Sequence, residues 1–85
     1  MNNQQTFKIK VVDAEQILIN TEAVSLSARN RKGKFDILAN HQPFICLLSR
    51  GDVIIRKPDK KAEAFTIEKG ILRIAENQAV IMVNL

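Results

Sequence analysis

Eighty-five residues with a mass of 9.6 kDa are too few for two independent cores, so the chain is a single domain, residues 1–85. Hydrophobic residues at 46% and charged residues at 26% exclude a disordered or fibrous chain. Thirteen Lys and Arg against nine Asp and Glu leave a net charge of +4, which favours an acidic partner or an anionic surface without establishing nucleic-acid binding. A chain this short buries only about 60–65% of its unfolded surface, which leaves no room for a large enclosed active site.

The polar opening, Met1-Asn2-Asn3-Gln4-Gln5-Thr6, lacks the basic and apolar regions of a secretory signal, and residues 1–6 are expected to be a disordered tail. Phe7-Ile9-Val11 then alternates apolar with polar residues, which predicts a strand, and Asp13 and Glu15 flank a turn. Val24-Leu26-Ala28 and Phe35-Ile37 repeat the alternation on either side of a turn at residues 30–33. Phe44-Ile45-Cys46-Leu47-Leu48 is continuously apolar, as a strand buried on both faces or a short turn of helix would be. Turn clusters follow at residues 49–52 and 58–61, then Phe65-Ile67, Lys69-Gly70 and a last turn at residues 76–78. Ala79-Val80-Ile81-Met82-Val83-Asn84-Leu85 is apolar on both faces and must be covered by its own sheet or by another protein. Strands at a spacing near ten residues, with no segment free to form a crossover helix, predict an all-β antiparallel sandwich or barrel.

Residues for catalysis are scarce. Cys46 and His41 are the only cysteine and histidine, five residues apart across Pro43, which disfavours a thiol–imidazole dyad. Cys46 stands in an apolar run, where a cysteine behaves as a small hydrophobe, and one thiol with one imidazole does not make a zinc site. A lone cysteine fits a reducing compartment, and no apolar run approaches a membrane span, so the expected location is cytosolic or peripheral on a membrane machine. Asp36 alternates outward from Phe35 and Ile37 as a solvated acid. Gly33, Gly51 and Gly70 stand in separate turns and form no phosphate-binding pattern, so no cofactor is expected. The cluster Arg29-Asn30-Arg31-Lys32-Gly33-Lys34 reads as a solvated hairpin tip or as a contact for phosphate or an acidic loop. A small basic β-domain binding nucleic acid is the alternative reading. The absence of Trp and Tyr, with Phe7, Phe35 and Phe65 in core-type alternation, argues against it.

The segment Gly33-Lys34-Phe35-Asp36-Ile37-Leu38-Ala39-Asn40-His41-Gln42-Pro43-Phe44 resembles the glycine, apolar pair and Gly-His-Ala-Pro run of the epsilon subunit of the F-type ATP synthase. Val11-Val12-Asp13-Ala14-Glu15-Gln16 is similar to that family's opening strand and turn, and Ser49-Arg50-Gly51-Asp52-Val53-Ile54-Ile55 to its Lys-Pro-Gly turn and following strand. Ile67-Glu68-Lys69-Gly70-Ile71-Leu72-Arg73-Ile74 and Asn77-Gln78-Ala79-Val80-Ile81-Met82-Val83 resemble its Gly-Gly-x-Leu-x-Val motif and final strand, so the likeness covers residues 7–85.

The resemblance implies a flattened, antiparallel β-sandwich of about ten short strands and a non-catalytic rotor subunit of the central stalk. Such a subunit clamps the foot of gamma and rests on the polar loops of the c-subunit ring. It is tied through them to the alpha/beta head, coupling ion translocation to ATP synthesis at the cytoplasmic face of the inner (plasma) membrane. Carried over by position, Asp13, His41, Pro43, Phe44 and Cys46 would face gamma, and Arg31, Lys32, Gly33 and Lys34 the ring. Read on its own, His41 is a turn residue bonding its backbone beside Pro43. An isolated chain of this kind is expected to self-associate through its gamma-facing surface. Lys34 stands where the family commonly has an acidic residue, so the expected ring loop carries Asp or Glu. Asn40 and Lys69 replace family glycines, and Asn tolerates positive φ better than Lys. The family's helical hairpin has no counterpart up to Leu85; if Leu85 is the natural terminus rather than a truncation point, the resemblance implies coupling without inhibition or nucleotide sensing.

Overall fold

The computed structural model describes residues 5–84, all in strands and the connections between them. The strands are β1 (Phe7–Val12), β2 (Ile17–Ala23), β3 (Ser25–Asn30), β4 (Gly33–Leu38), β5 (Phe44–Leu48), β6 (Gly51–Arg56), β7 (Ala62–Ile67), β8 (Gly70–Ala75) and β9 (Gln78–Val83). They form a five-stranded sheet in the order β2-β1-β9-β8-β5 and a four-stranded sheet in the order β4-β3-β6-β7. The expected all-β sandwich is thus present, with nine strands among the described residues where about ten were expected.

Alternation sets the core. Phe7, Ile9 and Val11 of β1 are buried between the sheets with Leu26 and Ala28 of β3, Val53 and Ile55 of β6, and Leu72, Ile74 and Ile81 of β8 and β9. Each fully buried Leu, Ile or Phe contributes about 1.5–3 kcal/mol relative to exposure. Every strand pair is antiparallel except β1 with β9, which run parallel from Lys8 opposite Gln78 to Val12 opposite Met82. This pairing of the first and last strands answers the demand of the apolar end: β9 lies between β1 and β8, with both edges hydrogen-bonded.

The continuous run at Phe44–Leu48 is strand β5, neither helical nor buried on both faces. It pairs only with β8, at the edge of its sheet, so Phe44, Cys46 and Leu48 turn inward while Ile45 and Leu47 stay exposed. Left-handed backbone falls on turn residues: Asn40 has φ +63°, and Glu76 and Asn77 of the two-residue β8–β9 turn have +53° and +59°. Lys69, the other replacement of a family glycine, keeps a negative φ. Asn77 ties this end together, its Oδ1 accepting the Asn40 amide at 2.7 Å and its Nδ2 donating to the Thr6 carbonyl at 3.0 Å. Of the expected tail, residues 1–4 lie outside the described residues, while Gln5 accepts a hydrogen bond from the Asn40 side chain at 3.0 Å.

Candidate functional site

The outer face of the five-stranded sheet carries a row of apolar side chains across every strand. Leu47 stands opposite Ile71, Ile71 opposite Met82, Met82 opposite Val12 and, through the β1–β2 bulge, Val12 opposite Ile17. At about 4.8 Å per strand the row is on the order of 20 Å long. The ends are the most open, with Leu47 at 69% and Ile17 at 54% exposure, and Ile45 stands beside Leu47 at 67%. Charged and polar residues flank the row one step along the strands, at Arg73, Lys10 and Asn20. A band of this kind, apolar and framed by polar residues, is the sort of surface that interaction sites present.

The five positions matched to gamma do not form one cluster. His41 and Pro43 lie in the β4–β5 connection next to Phe44, at the end of the sheet shared with Phe7 and Gln78. Asp13 follows Val12 at the opposite end, on a strand separated from β5 by β9 and β8. Its Oδ1 accepts the amides of Glu15 (2.8 Å) and Gln16 (2.9 Å), which closes the β1–β2 turn. His41 Nδ1 lies 2.7 Å from the Gln42 carbonyl, so it donates there, and the ring meets the edge of Phe44 at 5.4 Å between centroids. That is the backbone-bonded turn residue read from the sequence. Phe44 also meets Phe35 at 6.3 Å, and Cys46 packs inward against the core, where burial raises its thiol pKa.

The basic tip reaches β5. Arg31 and Lys32 form the β3–β4 turn, fixed by the Asn30 side chain accepting the Lys32 amide at 2.8 Å, and Gly33 follows at φ +120°. Together with Phe44, Cys46 and Leu47, the tip lines an open cleft of about 360 Å³. Two positions matched to gamma and two matched to the ring therefore border one depression. Lys34, by contrast, lies on the outer face of the four-stranded sheet opposite Arg29. Ile45, Leu47, Ile17 and Arg50 were not among the sequence-derived site residues, whereas Arg29 opens the basic cluster read there. For Ile45 and Leu47 the signal was present, since an apolar run on an edge strand leaves its alternate residues uncovered. Among the described residues no group of His, Cys, Asp or Glu is arranged to hold a metal ion.

The molecule is a small β-sandwich with two distinct exposed surfaces, one apolar and one basic. The family described as "ATP synthase, Delta/Epsilon chain, beta-sandwich domain" matches residues 6–85, and the chain belongs to it. It is 30% identical over 76 residues to the ATP synthase epsilon chain of Sulfurimonas denitrificans, covering 89% of this chain and 58% of that one. Against the epsilon chain of Clostridium novyi it is 35% identical over 80 residues, covering 92% and 60%. The Chlorobium limicola epsilon chain is 27% identical over 81 residues, covering 95% of this chain and 92% of that one. The chain thus spans about three fifths of the first two relatives and nearly all of the third. In solved structures the fold recurs in the Euglena gracilis mitochondrial ATP synthase OSCP/F1/c-ring, with a TM-score of 0.82, 14% identity and coverage of 88% of this chain and 48% of that one. It recurs also in the Tetrahymena thermophila mitochondrial ATP synthase central stalk and c-ring, with a TM-score of 0.76, 16% identity and coverage of 96% and 66%. No helix of the described residues is long and apolar enough to cross a membrane.

Proposed function

We propose that this chain is a non-catalytic central-stalk subunit of an F-type ATP synthase. It binds gamma, docks on the c-subunit ring and couples ion translocation to ATP synthesis at the cytoplasmic face of the membrane. Family membership supports the class, and the apolar row Leu47–Ile71–Met82–Val12–Ile17 carries the gamma contact. Its length suits one helix lying across the strands. The flanking group His41, Pro43 and Phe44, with Cys46 beneath it, frames one end of β5, and Asp13 follows β1, which β9 and β8 separate from β5, at the opposite end of the sheet. Residues Arg31, Lys32, Gly33 and Lys34 form the ring-facing tip, where charge serves orientation and association rate more than affinity. No step of the coupling requires a bound cofactor, because torque passes through rigid contacts.

The test is capture from lysate of the source organism by the tagged full-length chain, with bound proteins identified by mass spectrometry. Gamma, alpha and beta together are the expected result. Leu47→Gln should lower gamma capture about tenfold, as loss of a packed apolar anchor does, while stability changes by less than about 0.5 kcal/mol because the side chain is exposed. Capture of nucleic acid or ribosomal proteins without synthase subunits would overturn the proposal.

A further inference from the structure

Arg29 and Lys34 stand directly opposite one another in the β3–β4 register. Like charges in that position destabilise a sheet. The two side-chain ion pairs found among the described residues, Arg50 with Glu68 and Lys57 with Glu63, relieve neither of them. The β5–β6 corner brings in a third cation. The Ser49 amide donates to the Arg29 carbonyl at 2.8 Å, so Arg50 is held beside Arg29. Gly51 then makes room for the arginine stem: at φ +152° it carries no side chain, and a Cβ there would come within 3.3 Å of Arg29 Cδ. Arg29, Lys34 and Arg50 border a hollow of about 380 Å³ that Ser27 and Ile54 also line.

Three cations, Arg29, Lys34 and Arg50, stand against one carboxylate, Asp52, in the lining of this hollow, which leaves it net positive. Asp52, which lines it, accepts the Thr66 hydroxyl at 2.9 Å, and Asp36 accepts the Ser27 hydroxyl at 2.6 Å. Glu68 meets Arg50 only at 3.6 Å, with both side chains 78% exposed, where an ion pair contributes little.

We propose that this hollow binds the carboxylates of an acidic loop on a partner protein, with Arg29 and Arg50 as the residues that select it and Lys34 as a steering charge. The proposal rests on reading the basic end as a docking surface and adds Arg50 of the β5–β6 corner to the cluster that runs from Arg29 to Lys34. Guanidinium groups match carboxylate geometry with paired hydrogen bonds, which an ammonium does not. Single-stranded nucleic acid fits less well, because no aromatic side chain lines the hollow for a base to stack on. A lone phosphate fits less well because the hollow is broad, and the Ser27 hydroxyl is already spent on Asp36 and on Arg56, which donates to it at 3.0 Å.

The experiment is an NMR titration of the isotopically labelled full chain at low salt. Hexaglutamate is the probe, and inorganic phosphate and an oligothymidylate are the comparisons. Hexaglutamate should shift the amides around Arg29, Lys34, Arg50 and Gly51 and saturate. Arg29→Gln and Arg50→Gln should each weaken binding roughly three- to tenfold, while Lys10→Gln, on the other sheet, leaves it unchanged. Shifts spread evenly over all Lys and Arg would overturn the proposal, as would tighter saturation of the same amides by phosphate or oligothymidylate. Gamma capture reads the stalk function separately. A chain that captures gamma but leaves hexaglutamate unbound keeps its function and loses this site. A chain that binds hexaglutamate here without capturing gamma keeps the site and loses the stalk reading.

Discussion

Asp13 holds structure, and under the proposed function it also faces gamma. Its Oδ1 accepts the amides of Glu15 and Gln16, and its own amide donates to the Gln16 carbonyl at 3.0 Å. Asp13→Ala removes the acceptor and should lower stability by about 1 kcal/mol in urea unfolding, whereas Asp13→Asn retains it and should stay near wild type. A gamma contact through the carboxylate charge would show as lost capture in Asp13→Asn despite intact stability. Cys46 gives a pH prediction of definite sign. Burial pushes its thiol pKa up, so as pH rises through the unfolded thiol range, about 8.5, the unfolded chain loses its proton first and stability falls. Below that range the contribution is fully present. Alkylation by iodoacetamide at pH 8 should accordingly be slower in the native chain than in urea, and equal rates would contradict the burial. The structural role of each was legible in sequence. The turn at Asp13 and the packing of Cys46 follow from neighbours along the chain. The bond from Ser27 that makes Asp36 more than a solvated acid, and the Arg56 donor behind it, depend on strands brought together only by folding.

At the scale of elements, alternation fixed which stretches become strands, and Asn, Gly and charged clusters fixed where they turn. The two-residue β8–β9 turn places Glu76 and Asn77 both at positive φ, the geometry that matches strand twist and that Asn-Gly sequences favour. Asn77 suits the position and adds bonds to Asn40 and Thr6. Glu76 does not: an L-residue without a short polar side chain is strained there by about 1–2 kcal/mol. Glu76→Asn should therefore stabilise the chain by about 0.5–1 kcal/mol, seen as a higher urea midpoint at unchanged slope. No rise would mean that exposed Glu76 makes a compensating contact. The sequence left β5 ambiguous for a physical reason. Continuous apolarity describes a strand covered on both faces, whereas β5 lies at the sheet edge with Ile45 and Leu47 exposed on its outer face.

At the scale of the molecule, the features least visible in sequence are those that join distant parts of it. The parallel β1–β9 pair joins the two ends of the described chain, and the approach of Arg50 to Arg29 joins a corner to a hairpin. No local pattern encodes either. The same architecture leaves apolar side chains open on the β5 edge: Ile45 and Leu47 project from β5, whose second backbone edge has no strand beside it among the described residues. An edge strand that is both unpaired and apolar is a template for a second copy, and the cations of the neighbouring tip are too few to repel one at ordinary ionic strength. The purified chain should therefore self-associate as its concentration rises, read by sedimentation velocity, and should do so more strongly in high salt. Leu47→Lys places charge on that edge and should return the chain to a monomer, whereas Lys34→Gln on the other sheet should leave association unchanged. If both variants behave alike, the contact lies elsewhere. If Leu47→Lys dissociates copies and also abolishes gamma capture, one apolar surface serves both, and self-association is what this face does when its partner is absent.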